Sequence, residues 1–202
     1  MKNRRASSFV YLLALLSLMS HGAHAQGTFV YDQESSTDEN YPFVGSRIQF
    51  YGTVGQSFTP SLTAVGFVRL KVGDLTLGNS LGATLLVNLR SNAINGPILG
   101  TTAPVVLSDS FRGSADFLFA SAISVIPNAT YFFETVVQSG DNWGATEIGD
   151  NYPGGIFYGG LQPFSAADLW FREGIIVPEP SVILLAIIGA VPLLWFSRKR
   201  QD

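Results

Sequence analysis

The 202-residue sequence contains no cysteine, and its two histidines, His21 and His24, lie close to the N-terminus. From residue 26 onward the chain therefore has neither thiol nor imidazole groups. Their absence excludes Ser-His-Asp and Cys-His nucleophilic sites from that part of the chain. It also excludes zinc sites built on histidine or thiolate ligands, and iron sites that use two histidines and one carboxylate. We expect the fold to be held by packing alone, without disulfides.

Positive charge is scarce between residues 26 and 177. This region holds six basic and thirteen acidic residues, a formal net charge of −7, and the basic residues form no cluster along the sequence. Proteins that bind nucleic acids neutralise phosphates with grouped Lys and Arg side chains. The composition therefore argues against a nucleic acid as a partner.

The N-terminus has the three parts of a secretory signal peptide. Lys2, Arg4 and Arg5 precede the apolar run FVYLLALLSLM, and AHA at 23–25 fits a cleavage site. We predict a signal peptide over residues 1–25, with Gln26 as the first mature residue. The alternative is an uncleaved N-terminal anchor, although the apolar run is short for a membrane span.

The C-terminus carries a second apolar segment beside positive charge. Residues 177–181 read VPEPS, an apolar segment follows, and the basic run RKR occupies 198–200. The apolar segment is near the lower length limit for crossing a bilayer, and we predict a transmembrane helix over about 182–197. The positive-inside rule then keeps the basic run in the cytoplasm. Pro178 and Pro180 favour an extended backbone just before the segment.

This order of motif, apolar segment and basic end resembles the PEP-CTERM sorting signal of Gram-negative bacteria. The resemblance implies an exosortase-type processing enzyme as a partner and the inner membrane as a transient anchor. It also implies export to the cell envelope, with the processed protein at the outer surface or in an extracellular exopolysaccharide matrix. The alternative is a plain single-span membrane protein. The residues that carry the resemblance are the sorting motif Val177, Pro178, Glu179, Pro180 and Ser181 and the basic stop Arg198, Lys199 and Arg200.

Residues 26–176 have the composition of an all-β domain, rich in glycine, proline, aromatic and β-branched residues. FVRLKV at 67–72 alternates, which predicts Val68, Leu70 and Val72 on a buried face. We predict a single β-sandwich, jelly-roll-like, with an exposed acidic loop at 32–40. The order of segments from Gly55 to Gly174 also resembles β-sandwich ectodomains of PEP-CTERM proteins. The predicted strands lie at about 28–32, 47–51, 53–58, 64–72, 84–91, 105–107, 115–119, 131–138, 155–158 and 168–172.

The segment SGDNWGATEIGDNYPGG, residues 139–155, concentrates oxygen donors and aromatic rings. Oxygen donors suit Ca²⁺, although the spacing is not that of an EF-hand. Aromatic rings beside polar groups suit a sugar, and Tyr158 adds another ring. The alternative is a solvated loop whose Asp and Asn side chains bond local backbone, with its aromatic rings packed in the core. The candidate ligand or calcium loop comprises Asp141, Asn142, Trp143, Glu147, Asp150, Asn151 and Tyr152.

These observations predict an exported protein with a structural or adhesive role, no catalysis and no cofactor other than the Ca²⁺ considered above. The competing interpretation is a carbohydrate-binding module that retains the protein in exopolysaccharide. A third interpretation, a glycosidase, needs two carboxyl groups on either side of the scissile bond. The candidates are Glu134, Asp141, Glu147 and Asp150, and nothing in the sequence places two of them at a catalytic separation.

Overall fold

The computed structural model describes residues 27–178, which form fourteen strands and one short helix. The helix is α1, Ile48–Tyr51. The strands are β1 Thr28–Glu34, β2 Gly45–Arg47, β3 Val54–Phe58, β4 Ala64–Asp74, β5 Ala83–Ser91, β6 Ile98–Thr101, β7 Val105–Leu107, β8 Arg112–Ser124, β9 Tyr131–Gly140, β10 Trp143–Gly149, β11 Phe157–Gly159, β12 Gln162–Phe164, β13 Ala167–Leu169 and β14 Phe171–Val177.

The strands form two antiparallel sheets. In sheet I the order is β1-β14-β4-β10-β13, with β2 paired to β10 and β8 paired to β4. In sheet II the order is β12-β11-β3-β9-β5-β6, with β7 paired to β5. One apolar core draws residues from both sheets, and the rings of Phe133 on β9 and Phe171 on β14 have centroids 5.2 Å apart. The all-β prediction is confirmed, and the two sheets are consistent with a β-sandwich.

The two faces of β4 follow the alternation in its sequence. Val68, Leu70 and Val72 are fully buried in the core, as predicted. Lys71 lies on the opposite face, where its Nζ is 5.5 Å from the ring centroid of Trp170. The Trp170 ring is itself fully buried but lies outside the main core cluster. The outer face of sheet I is therefore partly covered rather than open to solvent.

The predicted strand at 47–51 is wrong for residues 48–51, because only Arg47 lies in a strand. The chain pairs as β2 only to Arg47 and then makes the single helical turn α1, of which Ile48 is the one buried residue. Gly52, with φ 73°, ends the turn and donates its N–H to the Ile48 carbonyl at 3.1 Å. Aromatic and β-branched residues favour strands, but tertiary context here overrides that preference.

Four other regions also differ from the predictions. Strands β6, β10 and β12 were not predicted, and the predicted strand at 168–172 is divided at Trp170 into β13 and β14. Trp170 donates its N–H to Thr146 of β10 at 2.8 Å and accepts the Lys71 N–H of β4 at 3.4 Å. The chain thus passes from pairing with β10 to pairing with β4, and this exchange interrupts the strand.

The acidic segment at 32–40 is an exposed loop only at its end. Its first three residues belong to β1, and Ser35 is buried. The Ser35 hydroxyl accepts the Phe171 N–H at 2.9 Å and donates to the Leu169 carbonyl at 2.7 Å. These bonds to sheet I hold the start of the segment against the domain, and residues 37–40 are exposed.

Phe29–Ile176 forms one compact unit, and the second unit, Met1–Thr28 with Val177–Asp202, lies almost wholly outside the described residues. The predicted signal peptide, most of the sorting motif, the predicted membrane segment at about 182–197 and the basic run also lie outside them. Between residues 27 and 178, no helix has the length and apolar character needed to cross a membrane.

Candidate functional site

The candidate loop at 139–155 is not a single loop, because β10 occupies its centre. Asp141 and Asn142 precede this seven-residue strand, whereas Asp150 and Asn151 follow it. At about 3.3 Å per residue, the strand separates the two pairs by roughly 20 Å. Glu147 lies within the strand, and burial raises its pKa. Within residues 27–178, no three acidic side chains come close enough to hold one metal ion, so the structure does not assemble the calcium site considered above.

The two aromatic residues of the candidate loop are parts of the core. Trp143 is fully buried, and its ring stacks on Phe111 with centroids 6.3 Å apart. Tyr152 is 5% exposed, and its hydroxyl donates to Gln33 Oε1 at 3.1 Å and accepts the Thr59 N–H at 3.0 Å. Neither ring offers a face to a sugar. The alternative stated for these rings, packing in the core, is what the structure shows.

The carboxyl groups considered for a glycosidase are separated or engaged. Glu134 lies on β9 in sheet II and accepts hydrogen bonds from Arg90 Nε at 2.9 Å and Nη2 at 2.6 Å. Asn88 donates to the same Glu134 oxygen at 3.0 Å. Glu147 lies on β10 in sheet I, and Asp150 is exposed beyond the end of that strand. Glu134 is therefore bound in a cross-strand ion pair and lies in a different sheet from Glu147.

Asp141 and Asn142 instead meet α1. The Gln49 side chain donates through Nε2 to the Asp141 carbonyl and accepts the Trp143 N–H at 3.0 Å through Oε1. On the other side of the turn, Asn79 Nδ2 donates to the Asp141 carboxylate. The β9–β10 turn thus fixes the position of the helical turn, which the sequence did not predict.

Phe50 stands exposed on α1 between two open clefts. Its exposed fraction is 75%, and its ring meets the Tyr51 ring edge-on with centroids 5.2 Å apart. A cleft of about 280 Å³ lies on one side and a cleft of about 400 Å³ on the other. We call this region the Phe50 surface. Its residues are Gly45, Ser46, Arg47, Gln49, Phe50, Tyr51, Leu75, Thr76 and Asn142, and Arg47 and Phe50 line both clefts.

Arg47 differs from the other basic side chains of the described region. Arg69 binds both oxygens of Asp116, at 2.7 and 3.0 Å, and Arg172 binds Glu34 at 2.7 Å. Lys71, Arg90 and Arg112 each donate to a protein oxygen as well. Arg47 is exposed, and its side chain makes no hydrogen bond to the part of the chain described here. The guanidinium donors of Arg47 are therefore available to a ligand in either cleft.

Of the predicted site residues, the structure brings Asn142 alone to the wall of these clefts, with Asp141 directly behind it. The residues that sequence reasoning missed are those of α1, which the strand prediction had assigned to a sheet. The available signal was Gly52, because a glycine directly after a short apolar stretch also suits the end of a helical turn. No family model matches the chain, and neither does any curated protein, so the PEP-CTERM resemblance rests on its motif residues.

Proposed function

We propose that this protein is an exported, non-catalytic adhesive protein of the bacterial cell surface or extracellular matrix, and that the Phe50 surface makes its contacts. The observation that carries the proposal is Phe50, a large aromatic side chain that is 75% exposed and positioned by the chain around it. Exposed rings at the centre of a contact surface commonly supply much of its binding free energy.

Preorganisation supports this role for the Phe50 surface. Gln49, the neighbour of Phe50, is held by two hydrogen bonds to the β9–β10 turn. A ligand that covers Phe50 therefore does not first have to order a loose loop. The exposed apolar area continues through Tyr51 to Phe164 of β12, since both rings approach the same side of Gly159. A connected patch is more characteristic of a binding surface than a single exposed side chain is.

As a second, narrower proposal, we infer that the ligand of the Phe50 surface is a carbohydrate. A sugar ring presents an apolar face that can lie on Phe50, and its hydroxyl groups need polar partners in the flanking clefts. Arg47 supplies donors, while Asn142 and Thr76 supply both donors and acceptors. In this proposal the Phe50 surface retains the protein in exopolysaccharide, and of the candidate residues in the 139–155 segment only Asn142 lines the clefts.

Export and sorting belong to the same proposal. The signal peptide at 1–25 would carry the domain across the inner membrane, and the apolar segment at about 182–197 would hold it there until an exosortase-type enzyme acts near 177–181.

The repeated passage of the chain between the two sheets, from β3 to β4, β5, β8, β9 and β10, supports the finer assignment of a jelly-roll-like sandwich.

The proposal is tested by binding the purified full chain to extracellular matrix isolated from the producing cells. We expect retention by the wild type and at least about tenfold weaker retention by Phe50→Ala, because burying a phenylalanine ring contributes about 1.5–3 kcal/mol. Val106→Ala is the matched control, since Val106 is 80% exposed on β7 and lines neither cleft of the Phe50 surface. Circular dichroism verifies that each variant is folded.

Treatment of the matrix separates the two proposals. Retention that periodate oxidation of the sugars abolishes supports carbohydrate as the ligand. Retention that survives periodate but not protease supports adhesion to protein and overturns the carbohydrate proposal. Absence of retention, or equal retention by wild type and Phe50→Ala, overturns the role of the Phe50 surface.

A further inference from the structure

Glu173 of β14 is a buried carboxyl group whose oxygens no hydrogen-bond donor reaches. Its exposed fraction is 0%, and neither Oε1 nor Oε2 has a hydrogen-bond partner within residues 27–178. The adjacent Arg172 binds Glu34 and Glu39 instead, at 2.7 and 3.3 Å. A buried carboxylate without a cation or a donor is costly, and such a group normally binds a proton instead.

Asp32 lies on β1, the neighbour of β14, and the backbone of Val30 and Tyr31 on β1 runs directly beside Gly174, the residue after Glu173. The Asp32 carboxylate accepts the backbone N–H groups of Ser61 at 2.7 Å and Leu62 at 3.0 Å, and also the Ser61 hydroxyl. Burial acts to raise the pKa of Asp32, but these hydrogen bonds outweigh burial and hold its pKa below the ordinary value. Asp32 is therefore the charged member of the pair, and Glu173 is the member that carries the proton.

Within residues 27–178, no positive charge is among the groups that shift the pKa of Glu173. Burial, followed by the charge of the nearby Asp32, raises the pKa of Glu173 to about 9. From β4, the residue opposite Glu173 is the apolar Val68. The other titratable groups near Asp32 and Glu173 are acids as well.

Tyr152 and Asp168 are these remaining groups. The Tyr152 hydroxyl donates to Gln33, and burial, together with the charges of Glu173, Asp32 and Asp168, raises its pKa to about 12. Asp168 of β13 accepts hydrogen bonds from Gln56 and from the backbone of residues 151 and 152. Neither group can neutralise an ionised Glu173.

We propose that Glu173 and Asp32 share one proton, and that this proton is a latch that holds β1 on β14. In sheet I, β1 is an edge strand whose neighbour is β14. When the proton leaves, the buried Glu173 carboxylate is charged beside the half-buried, charged Asp32. The strand β1 can then move away with the loss of a single strand pairing. The β1–β14 pair therefore loosens as the pH rises.

The direction of the pH effect follows from the two states of Glu173. Its folded pKa of about 9 lies above the ordinary value of 4.5. The stability that the neutral acid contributes is therefore complete below about pH 4.5 and is lost as the pH rises through about 9. In that interval, unfolding of the wild type releases the Glu173 proton. The variant Glu173→Gln, whose amide is neutral, has no such proton to release.

Urea unfolding of the full chain between pH 5 and pH 9 tests the latch. We expect the unfolding equilibrium constant of the wild type to rise by up to about tenfold more per pH unit than that of Glu173→Gln. Glu34→Gln makes the same chemical change in β1, at a residue that pairs with Arg172. This control should keep the wild-type slope. Equal slopes for wild type and Glu173→Gln would overturn the proposal.

Two further measurements keep the proposal testable if Glu173→Gln does not fold. In the wild type, the ¹³C resonance of the Glu173 carboxyl should be that of a neutral acid at pH 7, and an ionised resonance would overturn the proposal. Amide hydrogen exchange, corrected for its intrinsic pH dependence, should show β1 losing protection relative to β8 as the pH approaches 9. Uniform protection of both strands would contradict the latch.

Discussion

Gln56 of β3 and Asp168 of β13 join the two sheets through a buried hydrogen bond, 2.7 Å from Nε2 to Oδ1. Both side chains are 0% exposed. Gln56 Oε1 also accepts the Leu169 N–H at 3.0 Å, and Asp168 Oδ2 accepts the N–H groups of Asn151 and Tyr152 at 2.8 and 2.7 Å. One polar pair therefore links the sheets and fixes the loop that follows β10.

Removal of the Asp168 carboxylate should be among the most damaging single changes to the fold. Asp168→Ala leaves Gln56 and two backbone N–H groups without their acceptor inside the domain. We expect the free energy of unfolding to fall by roughly 3–5 kcal/mol. Urea denaturation measures this loss, and a change of less than about 1 kcal/mol would show that the link contributes little.

Thr146→Val should stabilise the domain. Thr146 is 0% exposed, and its hydroxyl has no hydrogen-bond partner within residues 27–178. Valine has a similar shape and removes the cost of a buried, unsatisfied hydroxyl, so we expect the free energy of unfolding to rise by about 1 kcal/mol. Thermal unfolding of both proteins at one pH measures the change. A fall in stability would indicate a partner for the hydroxyl, such as a bound water.

The free energy of unfolding should also fall at acidic pH, because folding lowers the pKa of Glu39 whereas it raises the pKa of Glu173. Burial acts to raise the pKa of Glu39, but the Ser114 hydroxyl, Arg69 and Arg172 outweigh it and lower the pKa below 4.5. The stability that Glu39 contributes is thus present above pH 4.5 and is lost as the pH falls below it. Because the side chain is 41% exposed, the contribution is small.

We therefore expect the free energy of unfolding to be greatest near pH 4.5 to 5, between the losses due to Glu39 and to Glu173. Glu39→Gln should make the decline on the acid side shallower and leave the alkaline side unchanged. Urea denaturation at intervals of half a pH unit measures both sides. A maximum above pH 7 would contradict this assignment of charges.

The export and sorting proposal has a direct test in the mass of the protein. Intact-mass analysis of the chain purified from its native cells should give an N-terminus at Gln26 and a C-terminus near residues 177–181. A mass that includes Met1 would contradict the signal peptide. A mass that extends to Asp202 would contradict processing of the tail.

The sequence was most informative where one periodicity governed a long strand. The alternation in β4 correctly placed Val68, Leu70 and Val72 in the core, because one face of the strand packs on the opposite sheet. The β10 strand was missed because Gly144, Asp141 and Asp150 are typical of turns. Its pairing with β2, β4 and β13, which are distant in the sequence, makes it a strand.

The same reasoning explains what was missed at the candidate site. Strand propensity in residues 47–51 concealed the helical turn that exposes Phe50, because the turn depends on Gln49 reaching residues 141 and 143. The proximity of Asp32 to the buried Glu173 was equally hidden, since it arises only when the first and last strands become neighbours. Contacts between distant parts of the chain carry no local signal.

NMR chemical-shift mapping most directly tests the claim that the Phe50 surface is where this protein makes contact. The full chain would be titrated with soluble fragments of the matrix polysaccharide. We expect the largest shifts at residues 47–52, at 75 and 76, and at Asn142, and their loss in Phe50→Ala. No shifts at saturating fragment concentration would overturn carbohydrate as the ligand, and shifts centred on residues 150–152 would contradict the role of the Phe50 surface.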